Sequence, residues 1–154
     1  SYAMNDDPTV YTEITDDIFT APYQLELYNY WLGVKKQRNM PARSDINIEH
    51  LKKYLSTIMI IDVCNYGEVF KVRLFGTKCV SVYGEFTGRT MNNFKEFDNP
   101  VQRLVWGVQY KKPYYTIKNL GNIHKEFINT SFIVLPLSND GETVSQFIVS
   151  HHFY

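Results

Sequence analysis

The chain has 154 residues, 44% of them hydrophobic and 21% charged, with sixteen basic residues against sixteen acidic ones. Size and composition suit one folded domain and exclude a disordered chain. The balanced charge excludes a nucleic-acid binder that relies on general phosphate attraction, which needs a concentrated basic face.

Residues 1–19 open acidic and polar (Asn5-Asp6-Asp7-Pro8) and read as a loose, flexible segment, with Ser1-Tyr2-Ala3 before Met4 as a cloning remnant. A domain over 20–154 follows. Thr20-Ala21-Pro22 carries helix-start signals, a capping threonine and a first-turn proline. Leu27, Tyr28, Trp31, Leu32 and Val34 then share one broad face, and Lys35-Lys36 suit the last turn. Met40–Ile46 is a turn. Asp45 or Asn47 can cap a second helix with Ile48, Leu51 and Leu55 on one side.

The period then changes. Ser56–Val63 is β-branched and apolar, Asn65-Tyr66-Gly67 is a turn, and Glu68–Phe75 alternates, so a hairpin is predicted. Short helical pieces follow through Arg73–Phe94. Asn99-Pro100 starts a longer helix with Val101, Leu104, Val105 and Val108 at helical spacing, closed by Lys111-Lys112-Pro113. Tyr114–Leu120, Lys125–Leu137 and Thr143–Phe153 read as strands, with Asp140-Gly141 as a hairpin signal. The expected class is α+β, a five-stranded antiparallel sheet with mid-chain helices on one face and N-terminal helices. Two strands are apolar on both parities, so both faces of the sheet should be covered, the second by the Leu27/Trp31/Val34 helix together with a second subunit.

Cys64 and Cys79 are the two cysteines. No signal peptide and no apolar run of spanning length is seen, so a cytoplasmic protein with free thiols and no membrane or nucleic-acid partner is expected. Twelve tyrosines, ten phenylalanines and two tryptophans can fill a core or line a cavity with hydroxyls at its edge.

Several segments carry a resemblance in order: Tyr30-Trp31, Met40-Pro41-Ala42-Arg43-Ser44-Asp45-Ile46, Asp62-Val63, Arg73-Leu74-Phe75-Gly76-Thr77, Gly84-Glu85-Phe86-Thr87-Gly88, and Leu135-Pro136-Leu137-Ser138-Asn139-Asp140-Gly141. Over about residues 20–151 the chain resembles a PAS domain. Within that family it resembles a bacterial subfamily of small, mostly stand-alone proteins largely of unknown function. The resemblance implies a sensory or signalling module that holds a small molecule between sheet and mid-chain helices. It also implies a homodimer formed through the N-terminal helix, here Tyr28, Trp31 and Leu32, and a protein partner downstream.

Chemistry is tested against that resemblance. The light-sensing branch places a flavin-attacking cysteine in Gly-Arg-Asn-Cys; here Gly88-Arg89-Thr90-Met91 puts a thioether there, so covalent flavin chemistry is disfavoured. Haem-binding relatives supply a histidine from the longer helix, which has none; His50, His124, His151 and His152 lie elsewhere. The last two point to opposite faces of a strand and cannot chelate together. No cofactor or metal is implied. No nucleophile elbow, His-Glu-x-x-His or phosphate loop is present, so no catalytic residue is assigned. A small α+β isomerase using Asp62 in an apolar pocket is the enzymatic alternative, although Asp62 is expected to pair with a nearby cation. A purely interacting or dimerising module without ligand is the other. The candidate ligand wall is Phe75, Cys79, Tyr83, Arg89, Met91, Phe94, Val105, Trp106, Tyr110, Phe132 and Val134.

Overall fold

The computed structural model describes residues 2–154. Its strands are β1 (Val10–Tyr11), β2 (Ile58–Cys64), β3 (Val69–Phe75), β4 (Tyr114–Leu120), β5 (Lys125–Leu137) and β6 (Gln146–Phe153). The helices are α1 (Pro22–Lys35), α2 (Ile48–Lys52), α3 (Thr77–Tyr83) and α4 (Asp98–Tyr110). The strands form one antiparallel sheet in the order β1-β4-β5-β6-β2-β3.

The fold is α+β and PAS-like as expected, but the sheet has six strands rather than five. The sixth, β1, comes from the segment expected to be loose. Asp7 organises it: its carboxylate accepts from Thr9 N at 2.9 Å, Thr9 Oγ1 at 2.6 Å and Tyr2 OH at 2.7 Å. Ile117 N then donates to Thr9 O at 3.0 Å, which registers β1 on the edge of β4. Met4 is buried beneath this turn.

Strand parity divides the sheet. Met59, Ile61, Phe132, Val134, Val149 and His151 face α3 and α4. Ile58, Ile60, Ser131, Ile133, Leu135, Ile148 and Ser150 alternate with them toward the opposite face. On that face α1 buries Leu27 and Trp31, and the Trp31 Nε1 donates to Pro136 O at 2.9 Å. Trp31, expected at a dimer interface, is 2% exposed within the single chain, its indole packed in the core between α1 and the sheet. Tyr28 is half-buried, stacked on Trp31 and beside Phe19, and Leu32 stays exposed.

A buried polar cluster also fastens α1. Gln24 Nε2 donates to Ser131 O and Ser150 O at 3.2 and 3.0 Å. Its Oε1 accepts from Tyr115 OH at 2.6 Å and Ser131 Oγ at 3.2 Å. Every polar atom of this fully buried amide is satisfied, which is what makes its burial tolerable.

Several motifs that carried the resemblance act as structural ties. A Cβ on Gly76 would stand 2.3 Å from Ser56 O and 2.4 Å from Leu55 O, so only glycine lets α3 start against that turn. Asp45 accepts from Ala42 N at 2.8 Å and pairs with Arg38 at 2.8 Å. Asp140 gathers Ser138 Oγ, Glu142 N, Thr143 N and Thr143 Oγ1 into one turn. These donors hold its carboxyl below the usual range, the backbone N–H groups of Thr143 and Glu142 most strongly. Of the two expected caps for α2, Asn47 is the one used, its Oδ1 accepting from Glu49 N at 3.0 Å. Asn47→Ala should lower unfolding stability in urea by about 1 kcal/mol.

Candidate functional site

Between the sheet and α4 lies a cavity of about 230 Å³. The sheet supplies Met59, Ile61, Phe132, Val134, Val149 and His151. Val82 and Tyr83 come from α3, Phe86, Met91 and Phe97 from the segment after it, and Pro100, Arg103 and Leu104 from α4. Tyr114, Lys118 and Leu120 of β4 close one end, next to the turn Gly121–Ile123. Glu96 and Asn122, both exposed, lie where this end meets solvent.

Five residues expected to form a ligand wall meet there: Phe75, Tyr83, Met91, Phe132 and Val134. Six do not. Cys79 is fully buried behind the wall, its Sγ 3.6 Å from His151 Nδ1. Burial pushes its thiol up to about 12, so it is unreactive. Arg89 is exposed and lies over the Phe94 ring at 4.8 Å. Its segment is tied to the edge of β3, with Val72 N donating to Arg89 O and Gly88 N to Val72 O. Phe94 packs edge-on against Phe86 and Phe97, one layer outside the cavity. Val105 and Tyr110 are on the exposed side of α4, and Trp106 packs against Tyr110 with the rings tilted by 39°.

The rotation of α4 has a clear cause. Gly107 approaches Phe147 so closely that a Cβ would stand 2.9 Å from that ring. Residues 100, 103, 104 and 107 thereby face the sheet, at i, i+3, i+4 and i+7 spacing. Arg103 sits in this stripe and is 3% exposed. Its guanidinium lies over the Phe132 ring at 5.7 Å, with Nη1 4.0 Å from Asp7 Oδ2. Among the described residues its Nε and Nη2 have no hydrogen-bond partner. Lys118, the second cation of the wall, makes no ion pair among the described residues. Burial, then the charge of Arg103, pushes its ammonium down to about 8.

Neither Arg103 nor Lys118 was among the expected site residues. The available signal was a charged residue on an apolar helical stripe, Arg103 beside Leu104, and another on the inward parity of β4, Lys118 after Tyr114 and Thr116. Asp62, weighed as a catalytic carboxylate, instead pairs with Arg73 at 2.8 Å and accepts from Gln146 Nε2 at 2.8 Å, outside the cavity. No cluster of three His, Cys, Asp or Glu side chains suited to a metal occurs among the described residues, and no helix there is long and apolar enough to cross a membrane.

Comparison with known proteins gives two findings. A family model described as a PAS domain matches residues 19–148. Among solved structures, the PAS domain of histidine kinase ThkA is similar with a TM-score of 0.46 and 11% identity, covering 62% of this chain and 96% of that one. No curated protein matches.

Proposed function

The chain belongs to the PAS domain family of sensory and signalling modules, and from that premise we propose that it binds a small, largely apolar molecule in the cavity between β-sheet and α4, relaying occupancy by protein contact without catalysis. The observation that carries this reading is the cavity itself: about 230 Å³ lined mainly by aliphatic and aromatic side chains, with a few polar groups at one end. A route for the relay lies across the sheet. Phe132 and His151 face the cavity, and their chain neighbours Ser131 and Ser150 offer the carbonyls that hold Gln24 of α1. A ligand that shifts these strands shifts the anchorage of α1 with them.

Native mass spectrometry on freshly purified protein tests the proposal, with Val134→Phe as a variant that fills the cavity. The expected result is a retained small molecule in the wild type, reduced at least about tenfold in Val134→Phe at similar melting temperature. A bare-chain mass for both, with no stabilisation of the wild type by small apolar compounds, overturns it and leaves a ligand-free interaction module.

A further inference from the structure

The polar end of the cavity defines the class of ligand. The lining residues carry three cations, Arg103, Lys118 and Lys125, against one carboxylate, Glu96. Asp7 stands outside the wall and is already engaged by Thr9 and Tyr2. It approaches Arg103 at Nη1, at 4.0 Å. The guanidinium edge without a partner is Nε with Nη2, the side-on pair of donors that matches the two oxygens of a carboxylate. A buried guanidinium with an idle edge is costly, and an oxygen ligand that pairs with it relieves that cost. Lys118 of β4 lines the same cavity, makes no ion pair among the described residues, and adds a second positive charge there.

Resting on the reading of the cavity as a ligand site, we propose that its ligand is a small monocarboxylic acid, with the carboxylate between Arg103 and Lys118 and the hydrocarbon body among Met59, Phe132, Val134 and Val149. The Nε–Nη2 edge is covered, from solvent and from the cavity alike, so seating the carboxylate there requires the guanidinium to turn about its terminal bonds toward the cavity. The volume limits the body. Taking a water's share as ~30 Å³, 230 Å³ corresponds to about eight such groups, the scale of a six-carbon acid. A phosphate ester, with more charge and more oxygens than these two side chains can satisfy, fits less well.

Isothermal titration calorimetry with hexanoate and hexan-1-ol as paired probes at pH 7 separates the possibilities. The expected result is that hexanoate binds the wild type about tenfold or more tightly than hexanol, the scale of a charge-assisted hydrogen bond. In Arg103→Met and in Lys118→Met the ratio should fall to about threefold or less. Methyl hexanoate on the wild type, expected to behave like the alcohol, keeps the test intact if either variant fails to fold. Equal binding of acid, alcohol and ester overturns the carboxylate assignment but leaves the cavity as a ligand site. Binding of none of the three overturns the assignment together with the site.

Discussion

Replacing Trp31 by alanine should destabilise the protein by about 4 kcal/mol, the usual scale for a fully buried tryptophan. The indole is 2% exposed, packs with α1 on the outer face of the sheet, and donates its Nε1 hydrogen to Pro136 O at 2.9 Å. Truncation opens a cavity and takes the donor from that carbonyl, and the two losses act together. The measurement is urea unfolding by circular dichroism at two protein concentrations about a hundredfold apart. A core residue shifts the midpoint equally at both, whereas a residue whose stabilisation comes from a dimer shifts it in a concentration-dependent way. Leu32→Ala is the internal control. That side chain is 37% exposed on the same helix, and its removal should change stability by no more than about 0.5 kcal/mol. A large, concentration-dependent loss at Trp31 would restore the interface role expected from the sequence.

That helix shows where sequence patterning is informative and where it stops. Leu27, Trp31 and Val34 marked an apolar face correctly, because a helix that covers a sheet must be apolar on one side. They did not say whether the sheet of the same chain or a second subunit would use it. Alternation was legible on β3, whereas β5 is apolar and buried on both parities, so its pattern marked a covered strand without saying which side Phe132 and Val134 face; they lie in the cavity. The glycine-bracketed segment gave Phe75, Tyr83 and Met91.

Failure came on α4, where Val105, Trp106 and Tyr110 were the conspicuous residues. Their bulk suggested a wall, yet the helix is turned by the one position without a side chain, Gly107, which lets Phe147 approach. A rotation set by the smallest residue is hard to read from the largest ones. It also brings Arg103 inward, the group that most defines the chemistry of the site. The two-residue strand β1 has no pattern to detect, since it is held by the Asp7 turn and by an edge that exists only once β4 is in place.

Lowering the pH from 7.5 to 5 should remove about 2 kcal/mol of stability through His151, with the loss approaching about 3 kcal/mol near pH 4. His151 is buried on β6 between Phe132 and Phe153, and its Nδ1 lies 3.2 Å from Thr57 O. Desolvation pushes its imidazole down to about 4, against the hydrogen bond to the Thr57 carbonyl, which acts in the opposite direction. The folded group therefore stays neutral while the unfolded one takes up a proton from about pH 6.5 downward. A depressed folded pKa means that the contribution is complete above the unfolded value and is lost as pH falls toward the folded one. The carboxyls held below their ordinary range, among them Asp7, Asp45, Glu85 and Asp140, lose their contribution from about pH 5 downward, so the histidine effect is read between pH 7.5 and 5. His152, also pushed down by burial, contributes in the same direction. Urea unfolding across pH 5 to 8 should thus show a slope in the wild type that is largely lost in His151→Gln, which keeps a donor for Thr57. The slope rather than the absolute stability is the readout, so packing losses at the substituted site do not enter. An unchanged slope in His151→Gln would mean that the imidazole takes up its proton as readily in the folded protein as in the unfolded one, inside the wall of a cavity already lined by Arg103 and Lys118.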